Sequence, residues 1–412
     1  MPGFGKNYAG SSKAFGDGKY TSGRTSRGSY RGSNQSGNYG GNSRSGYGNN
    51  NFAYGGSRYK SSEVGSSLRK PKWDEANLEP FEKNLYQEHP SVTARSSGEI
   101  EAFISQNDVI IDGDDIPKPI FNFLEAGLPE SLTNKLSQFP APTVIQSVSW
   151  PVAMSGRDLI GVAKTGSGKT LSFLMPAFLH IKKQRKLARG DGPIAVVLCP
   201  TRELAIQVNE VAKEFCGAGG VSSAVCYGGA SKGPQLREIE RGCCIVIATP
   251  GRLLDFLEMR KLSLSRTTFL VLDEADRMLD MGFEQQMRSI VGQIRPDRQT
   301  IMYSATWPKE VRKLAEDFQR DAILVSIGSL ETSANHNISQ HVVVIEEEEK
   351  NSQLIKLLEK VMADSDPKTL IFVETKRKAD ELTRWMRQDG WPALCIHGDK
   401  AQPEREWVLQ GK

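Results

Sequence analysis

Long apolar runs are missing from this chain: no stretch approaches the roughly 18 consecutive apolar residues of a membrane span, and the N-terminus lacks the apolar block of a secretory signal. The sequence therefore reads as that of a soluble intracellular protein with no membrane partner. Cysteine and histidine are sparse. The six cysteines, Cys199, Cys216, Cys226, Cys243, Cys244 and Cys395, show no Cys-x-x-Cys spacing, and five scattered histidines offer no zinc pattern. Reduced, mostly buried thiols are the expectation. Residues 1–60 contain no Ile, Leu or Val, so nothing there offsets the entropy of folding and disorder is expected. Acidic charge is nearly absent from the same stretch: nine Lys/Arg face the single Asp17, a net +8, which leaves −4 on residues 61–412 within the overall +4.

What the tail does contain is fifteen glycines and seven of the ten tyrosines. Arg-Gly steps such as Arg27-Gly28 and Arg31-Gly32, interleaved with Tyr30, Tyr39, Tyr47, Tyr54 and Tyr59, supply phosphate-attracting charge and flat rings for stacking on unpaired bases. Weak, sequence-tolerant RNA contact is one reading, and a solubilising tail is the plain alternative. At 412 residues the chain exceeds what one core comfortably serves, so two or three domains are expected.

From Asp158 onward, short apolar runs alternate with polar or glycine-bearing clusters and helical patterns, which argues a doubly wound parallel sheet in the α/β class. Six runs read as strands buried on both faces: 158–162, 194–199, 224–227, 244–248, 269–272 and 300–303. They place one domain at about 120–330. The clusters that follow them would all lie at the carboxyl edge of such a sheet, where ligands bind. Gly328 to Asn337 is polar and aperiodic, as a linker is. A second α/β unit then begins, with strands expected at 341–345, 369–373 and 393–396, an acidic turn at 346–349 and a helix to about Arg387. Three strands alone would leave an unpaired apolar edge, which suggests a fragment or truncated product.

Two clusters carry chemistry. Ala163-Lys164-Thr165-Gly166-Ser167-Gly168-Lys169-Thr170 lies between an apolar strand and a helical pattern over 171–181, the context a phosphate-binding loop requires, although Ala163 stands where the pattern usually opens with Gly. Gly166 and Gly168 permit close backbone approach, Lys169 neutralises the β/γ-phosphates, and Thr170 with Asp273 can hold Mg²⁺. The second cluster, Asp273-Glu274-Ala275-Asp276, ends the run 269–272 and leaves Glu274 as the base for a water. Adjacent acids on a strand point to opposite faces, so the two divide the work only if the backbone turns there. Ser304 and Thr306 carry less, because Ser-x-Thr after a strand usually only satisfies turn backbone. A nucleoside triphosphatase that uses Mg²⁺ is the function these residues imply.

These clusters, together with Pro200-Thr201-Arg202-Glu203-Leu204-Ala205, Thr249-Pro250-Gly251-Arg252 and Ser304-Ala305-Thr306, resemble the DEAD-box RNA helicases in kind and order. Lys70-Pro-Lys-Trp73, Phe81-Glu-Lys-Asn84, Tyr86-Gln-Glu-His-Pro90 and 304–310 are similar to the Dbp-two branch of that family, and the likeness covers about 70–412. Ala141-Pro142-Thr143-Val144-Ile145-Gln146 looks like its adenine-reading element, which implies that Gln146 bonds the base. Spacing places the stacking aromatic at Phe121, and local wording places it at Phe123. The resemblance further implies that Pro200, Thr201, Arg202, Gly228, Gly229, Thr249, Gly251 and Arg252 line a sequence-nonspecific RNA path. Asp276 would tie the nucleotide site to Ser304 and Thr306, and two RecA-like lobes would close on ATP and RNA.

The implied organisation is a disordered tail over 1–68, a family-type N-terminal extension over 69–118, a first RecA-like domain over 119–328, a linker over 329–340 and a partial second RecA-like domain over 341–412. In that last part 370–375, 396–399 and 402–405 resemble the early motifs of the second lobe, but the later ones, which supply arginine fingers, do not follow before Lys412. Such an arginine is worth on the order of 10³–10⁵ in rate, or ~4–7 kcal/mol. The isolated chain is therefore expected to bind ATP and RNA weakly and to fail at RNA-stimulated hydrolysis. The alternative function is a non-catalytic RNA-binding product. Ribonucleoprotein partners, a monomeric state and a nuclear location, with cytoplasm as a second compartment, complete the expectations.

Overall fold

The computed structural model describes residues 68–74, 78–188, 190–328, 338–362 and 368–409. The tail expected to be disordered, except for Leu68, and most of the expected linker, 329–337, lie outside these residues. No described helix is long and apolar enough to cross a membrane.

One eight-stranded sheet organises residues 109–327. Its strands are β1 (Val109–Asp112), β2 (Leu159–Val162), β3 (Ala195–Leu198), β4 (Ser223–Cys226), β5 (Ile245–Ala248), β6 (Phe269–Leu272), β7 (Gln299–Ser304) and β8 (Ile323–Ile327). They lie in the order β1-β8-β2-β7-β6-β3-β5-β4. Every pairing is parallel except β1 against β8. The six strands read from the sequence are present. Two more, β8 and β1, correct that count: β8 pairs along β2, and β1 comes from the segment read as an N-terminal extension, so the sheet reaches back beyond residue 119.

The strands alternate with a period of two. Leu159, Val197, Ile247, Val271, Ile301 and Val325 face one core, beneath helices Val144–Met154, Lys169–Lys182 and Arg202–Gly219. Ile160, Val196, Val246, Leu270 and Met302 face the other, beneath Pro250–Glu258, Glu284–Val291 and Lys309–Phe318. Burial on both faces is what parallel crossover connections impose. β4 departs from the expectation, with Ser223 and Val225 only half-buried, because it closes the sheet edge. Within β2, Gly161 is required by its neighbour: a Cβ there would lie 2.1 Å from Cε1 of Tyr303.

The part after residue 337 differs from expectation. It contains helices Lys350–Val361, Lys376–Gln388 and Gln402–Leu409, but 341–345, 369–373 and 393–396 form no ladder among the described residues. Val342, Val344 and Phe372 are 91%, 96% and 87% exposed. Apolar side chains left in water contribute nothing toward the cost of ordering a strand, in keeping with the lack of a ladder here among the described residues.

Candidate functional site

The parallel pairing of β2 through β7 places the ends of β2, β3, β4, β5, β6 and β7, and the clusters that follow them, on one edge. After β2 the chain forms the phosphate loop. Gly166 and Gly168 take φ of 77° and 94°, a region that side-chain-bearing residues avoid. At Gly168 a Cβ would also fall 2.6 Å from Thr143 Oγ1 and 2.7 Å from Gln146 Nε2. Lys164, Thr165 and Gly166 are exposed at the loop tip, Ser167 is half-buried with an unpartnered hydroxyl, and Thr170 is the second residue of the helix that Lys169 begins. The buried Lys169 ammonium donates to the Ala163 carbonyl at 2.8 Å. The Ala163 N–H donates in turn to the Ser304 carbonyl at 3.1 Å, so the loop is closed on itself and moored to β7.

At the end of β6 the backbone does turn: Glu274 has φ 54° and ψ 54°, a left-handed conformation that is costly for a non-glycine residue. Asp273 points inward, 3% exposed, with one carboxylate oxygen unpartnered. Burial pushes its pKa up to about 6, the Lys169 ammonium pulling against that and Glu274 adding to it. Glu274 pairs with Arg277 at 3.1 Å. Asp276 accepts from the Ala305 and Thr306 amides at 3.2 and 3.0 Å and from the Thr306 hydroxyl at 2.8 Å. The Ser304 hydroxyl is buried and unpartnered, so it is Ala305, not Ser304, that joins Thr306 on this carboxylate.

Gln146, 4% exposed, bridges two elements: its oxygen accepts from the Thr143 N–H at 3.1 Å and its amide donates to the Gly168 carbonyl at 3.0 Å. Neither candidate stacking ring presents a free face. Phe123 is in the core against Trp150, and Phe121 is covered by the Arg95 guanidinium at 3.7 Å and by Phe103 at 4.9 Å. The aromatic with open surface is one that sequence reasoning missed: Phe139, 39% exposed, four residues before Thr143. An aromatic two residues before the Ala-Pro-Thr turn was the signal available.

On the expected RNA path, the Thr201 hydroxyl caps its helix, accepting from the Leu204 N–H at 3.2 Å, after a buried Pro200. Arg202 lies 4.8 Å over Tyr227 and pairs with Glu406. Gly228 and Gly229 are exposed, Gly228 donating its N–H to the Thr249 hydroxyl at 3.3 Å, and Gly251 is half-buried in the first turn of its helix. Arg252 requires a correction. At 6% exposure it donates to the Gln235 side chain at 3.1 Å and the Ala230 carbonyl at 2.9 Å, so it braces the loop after β4 and does not face an outside ligand. Gln235, also missed, holds both the N–H and the carbonyl of Tyr227.

Of the six thiols, Cys199, Cys226 and Cys243 are buried and the other three half-buried. Among the described residues, Asp380, Cys395 and His397 bring ligand-type atoms within 4.8 Å of one another. The trio is already satisfied: Lys400 sits 2.9 Å from Asp380, and His397 Nδ1 accepts from the Asp399 N–H.

A strand-bound phosphate loop facing a buried carboxylate, on a sheet of this order, defines a RecA-like nucleotide-binding domain. The family profile for the DEAD/DEAH box helicases matches residues 143–314, and that for the helicase conserved C-terminal domain matches residues 349–411; the chain belongs to the DEAD-box helicase family. It is 57% identical over 350 residues to a protein of Chaetomium thermophilum named ATP-dependent RNA helicase DBP2, across 84% of this chain and 63% of that one. To a Mus musculus protein named probable ATP-dependent RNA helicase DDX17 it is 58% identical over 348 residues, across 84% and 54%. The chain thus spans less than two thirds of the length of these curated relatives. Among solved structures, the yeast DEAD-box splicing factor Prp28 aligns with a TM-score of 0.57 at 30% identity, covering 77% of this chain and 74% of that one. The RNA helicase Prp28 of Chaetomium thermophilum, bound to ADP, aligns with a TM-score of 0.53 at 33% identity, covering 82% and 78%.

Proposed function

We propose that this chain carries the nucleotide-binding lobe of an ATP-dependent RNA helicase, in which ATP hydrolysis drives local unwinding of RNA and remodelling of ribonucleoproteins. The observation that carries the reading is the Asp273 carboxylate, buried and half-unpartnered at the end of β6, with Lys169 as the cation acting on it. An unpartnered buried carboxylate oxygen is costly unless a ligand completes it. The donor set, one carboxylate and the Thr170 hydroxyl, is all oxygen and suits Mg²⁺. When bound there, Mg²⁺ would neutralise charge on the β- and γ-phosphates.

The chain's own groups divide the remaining work. The backbone amides of 166–170, at a helix N-terminus, cradle phosphate. Lys169 exchanges the Ala163 carbonyl for phosphate oxygens. Glu274, on the turned backbone, orients the attacking water and takes its proton. Gln146, whose amide retains one free N–H and whose oxygen retains one lone pair, meets the base edge, and Phe139 offers the ring on which the base stacks. Thr201, Arg202, Gly228, Gly229 and Thr249 present hydroxyls, a guanidinium and backbone to an RNA strand's phosphates, contacts that position without reading sequence. Lys169→Ala is the test: it should abolish measurable ATP binding, and unchanged affinity would sink the proposal.

A second reading is favoured by the unpaired segments 341–345, 369–373 and 393–396: this chain binds nucleotide through its first lobe but gains little turnover from RNA. ATPase assays of this chain with and without RNA separate the two, and marked stimulation by RNA would remove the second reading. We also propose a nuclear, monomeric protein that joins ribonucleoprotein complexes, supported by the Dbp-two likeness and the basic tail. Imaging of the tagged chain and light scattering test these points.

A further inference from the structure

The two ends of the phosphate loop are moored to the same strand. At its start, the Ala163 N–H donates to the Ser304 carbonyl at 3.1 Å. At its end, the Ser172 hydroxyl donates to the Lys169 carbonyl at 2.6 Å and lies within hydrogen-bond distance of the Tyr303 hydroxyl, at 2.6 Å. Ser172, Tyr303 and Ser304 are all 0% exposed. The Tyr303 ring reaches this position only because Gly161, opposite it on β2, has no side chain. Just beyond Ser304, where the strand ends, Ala305 and Thr306 hang on Asp276. β7 is thus a rigid link between the carboxylate cluster after β6 and the backbone from which Lys169 projects.

We propose that Tyr303 is a positioning residue for the nucleotide site: through Ser172 it holds the Lys169 backbone in register with the Ser304-Ala305-Thr306 segment, so that a shift of that segment is felt at the phosphates. This rests on the reading of residues 163–170 as the ATP site. A tyrosine that merely filled the core would need its ring and not its hydroxyl. The hydroxyl is spent on a relay whose far end is the Lys169 carbonyl, and in a buried setting a lost partner is not replaced by water. The ring separately presses on β2, so its packing and its polar tip can be tested apart.

The experiment uses Tyr303→Phe, which keeps the ring, Ser172→Ala, and the double variant. Binding of ATP and of inorganic triphosphate to the full chain is measured by calorimetry, with thermal unfolding alongside. Loss of one buried hydrogen bond, about 1 kcal/mol, predicts an affinity for both ligands weaker by about fivefold in each single variant. The double variant should be no weaker than the worse single, because both break one relay. Equal loss for ATP and triphosphate locates the effect at the phosphates and not at the base. Unchanged affinity in Tyr303→Phe, with or without a lower unfolding temperature, would overturn the proposal, as would losses that multiply in the double variant. A parent chain that bound neither ligand would instead overturn the nucleotide-site reading itself.

Discussion

Asp273→Asn is expected to stabilise the protein at neutral pH while disabling the site. The Asp273 carboxyl is buried, one oxygen lacks a partner, and desolvation lifts its pKa from 3.8 to about 6. At about 1.4 kcal/mol per pKa unit, that favours the protonated form by about 3 kcal/mol. Between those two values the native state keeps a proton that the unfolded chain has released. Stability from this group is therefore full below 3.8 and is lost as pH rises through about 6. Asparagine has the same shape and no charge to desolvate, but its unpartnered amide returns about 1 kcal/mol of the gain. In urea unfolding the variant should exceed the parent by about 2 kcal/mol at ~pH 8, and the gap should close by ~pH 4. Comparing the two proteins cancels the other titrating groups. A Mg²⁺-nucleotide should raise the parent's midpoint more than the variant's, because it supplies the partner the carboxylate lacks. Parallel stability curves over this range, or a gap that widens toward acid, would refute the reasoning.

Gly161→Ala sets a methyl 2.1 Å from Tyr303 Cε1 and should lower stability by about 1–3 kcal/mol in thermal unfolding, with a smaller loss when Tyr303→Leu is added. Arg252→Ala should cost about 2–3 kcal/mol, because Ala230 and Gln235 lose a buried charged donor. Its RNA affinity should fall with no change in salt dependence, whereas Arg202→Ala should reduce the slope against log salt by about one; identical slopes for the two variants would contradict the assignment. Phe139→Ala should weaken ATP by about 1–3 kcal/mol while leaving inorganic triphosphate unaffected, and equal weakening of both would remove the ring from the base site.

The phosphate loop and the 273–276 carboxylates were legible because their chemistry is local: a glycine-bearing turn and strand-terminal acids keep their meaning in any fold that pairs the strands. Arg252 misled for the opposite reason. A guanidinium after a strand looks the same in sequence whether it faces outward or, as here, is spent on Gln235 and Ala230. Phe121 and Phe123 were plausible by position along the chain, but their faces are taken by Arg95, Phe103 and Trp150, neighbours that no spacing rule could supply.

What these 412 residues determined by themselves was the alternation of strand and helix and the family, since period, turn chemistry and motif order are properties of short segments. The tertiary structure alone decided that Val109–Asp112 closes one edge of the sheet, that 341–345, 369–373 and 393–396 form no ladder among the described residues, and that Tyr303 can lie over Gly161 and reach Ser172. Each of these is a matter of which distant surfaces meet, and burial, partnering and pKa exist only once they have met.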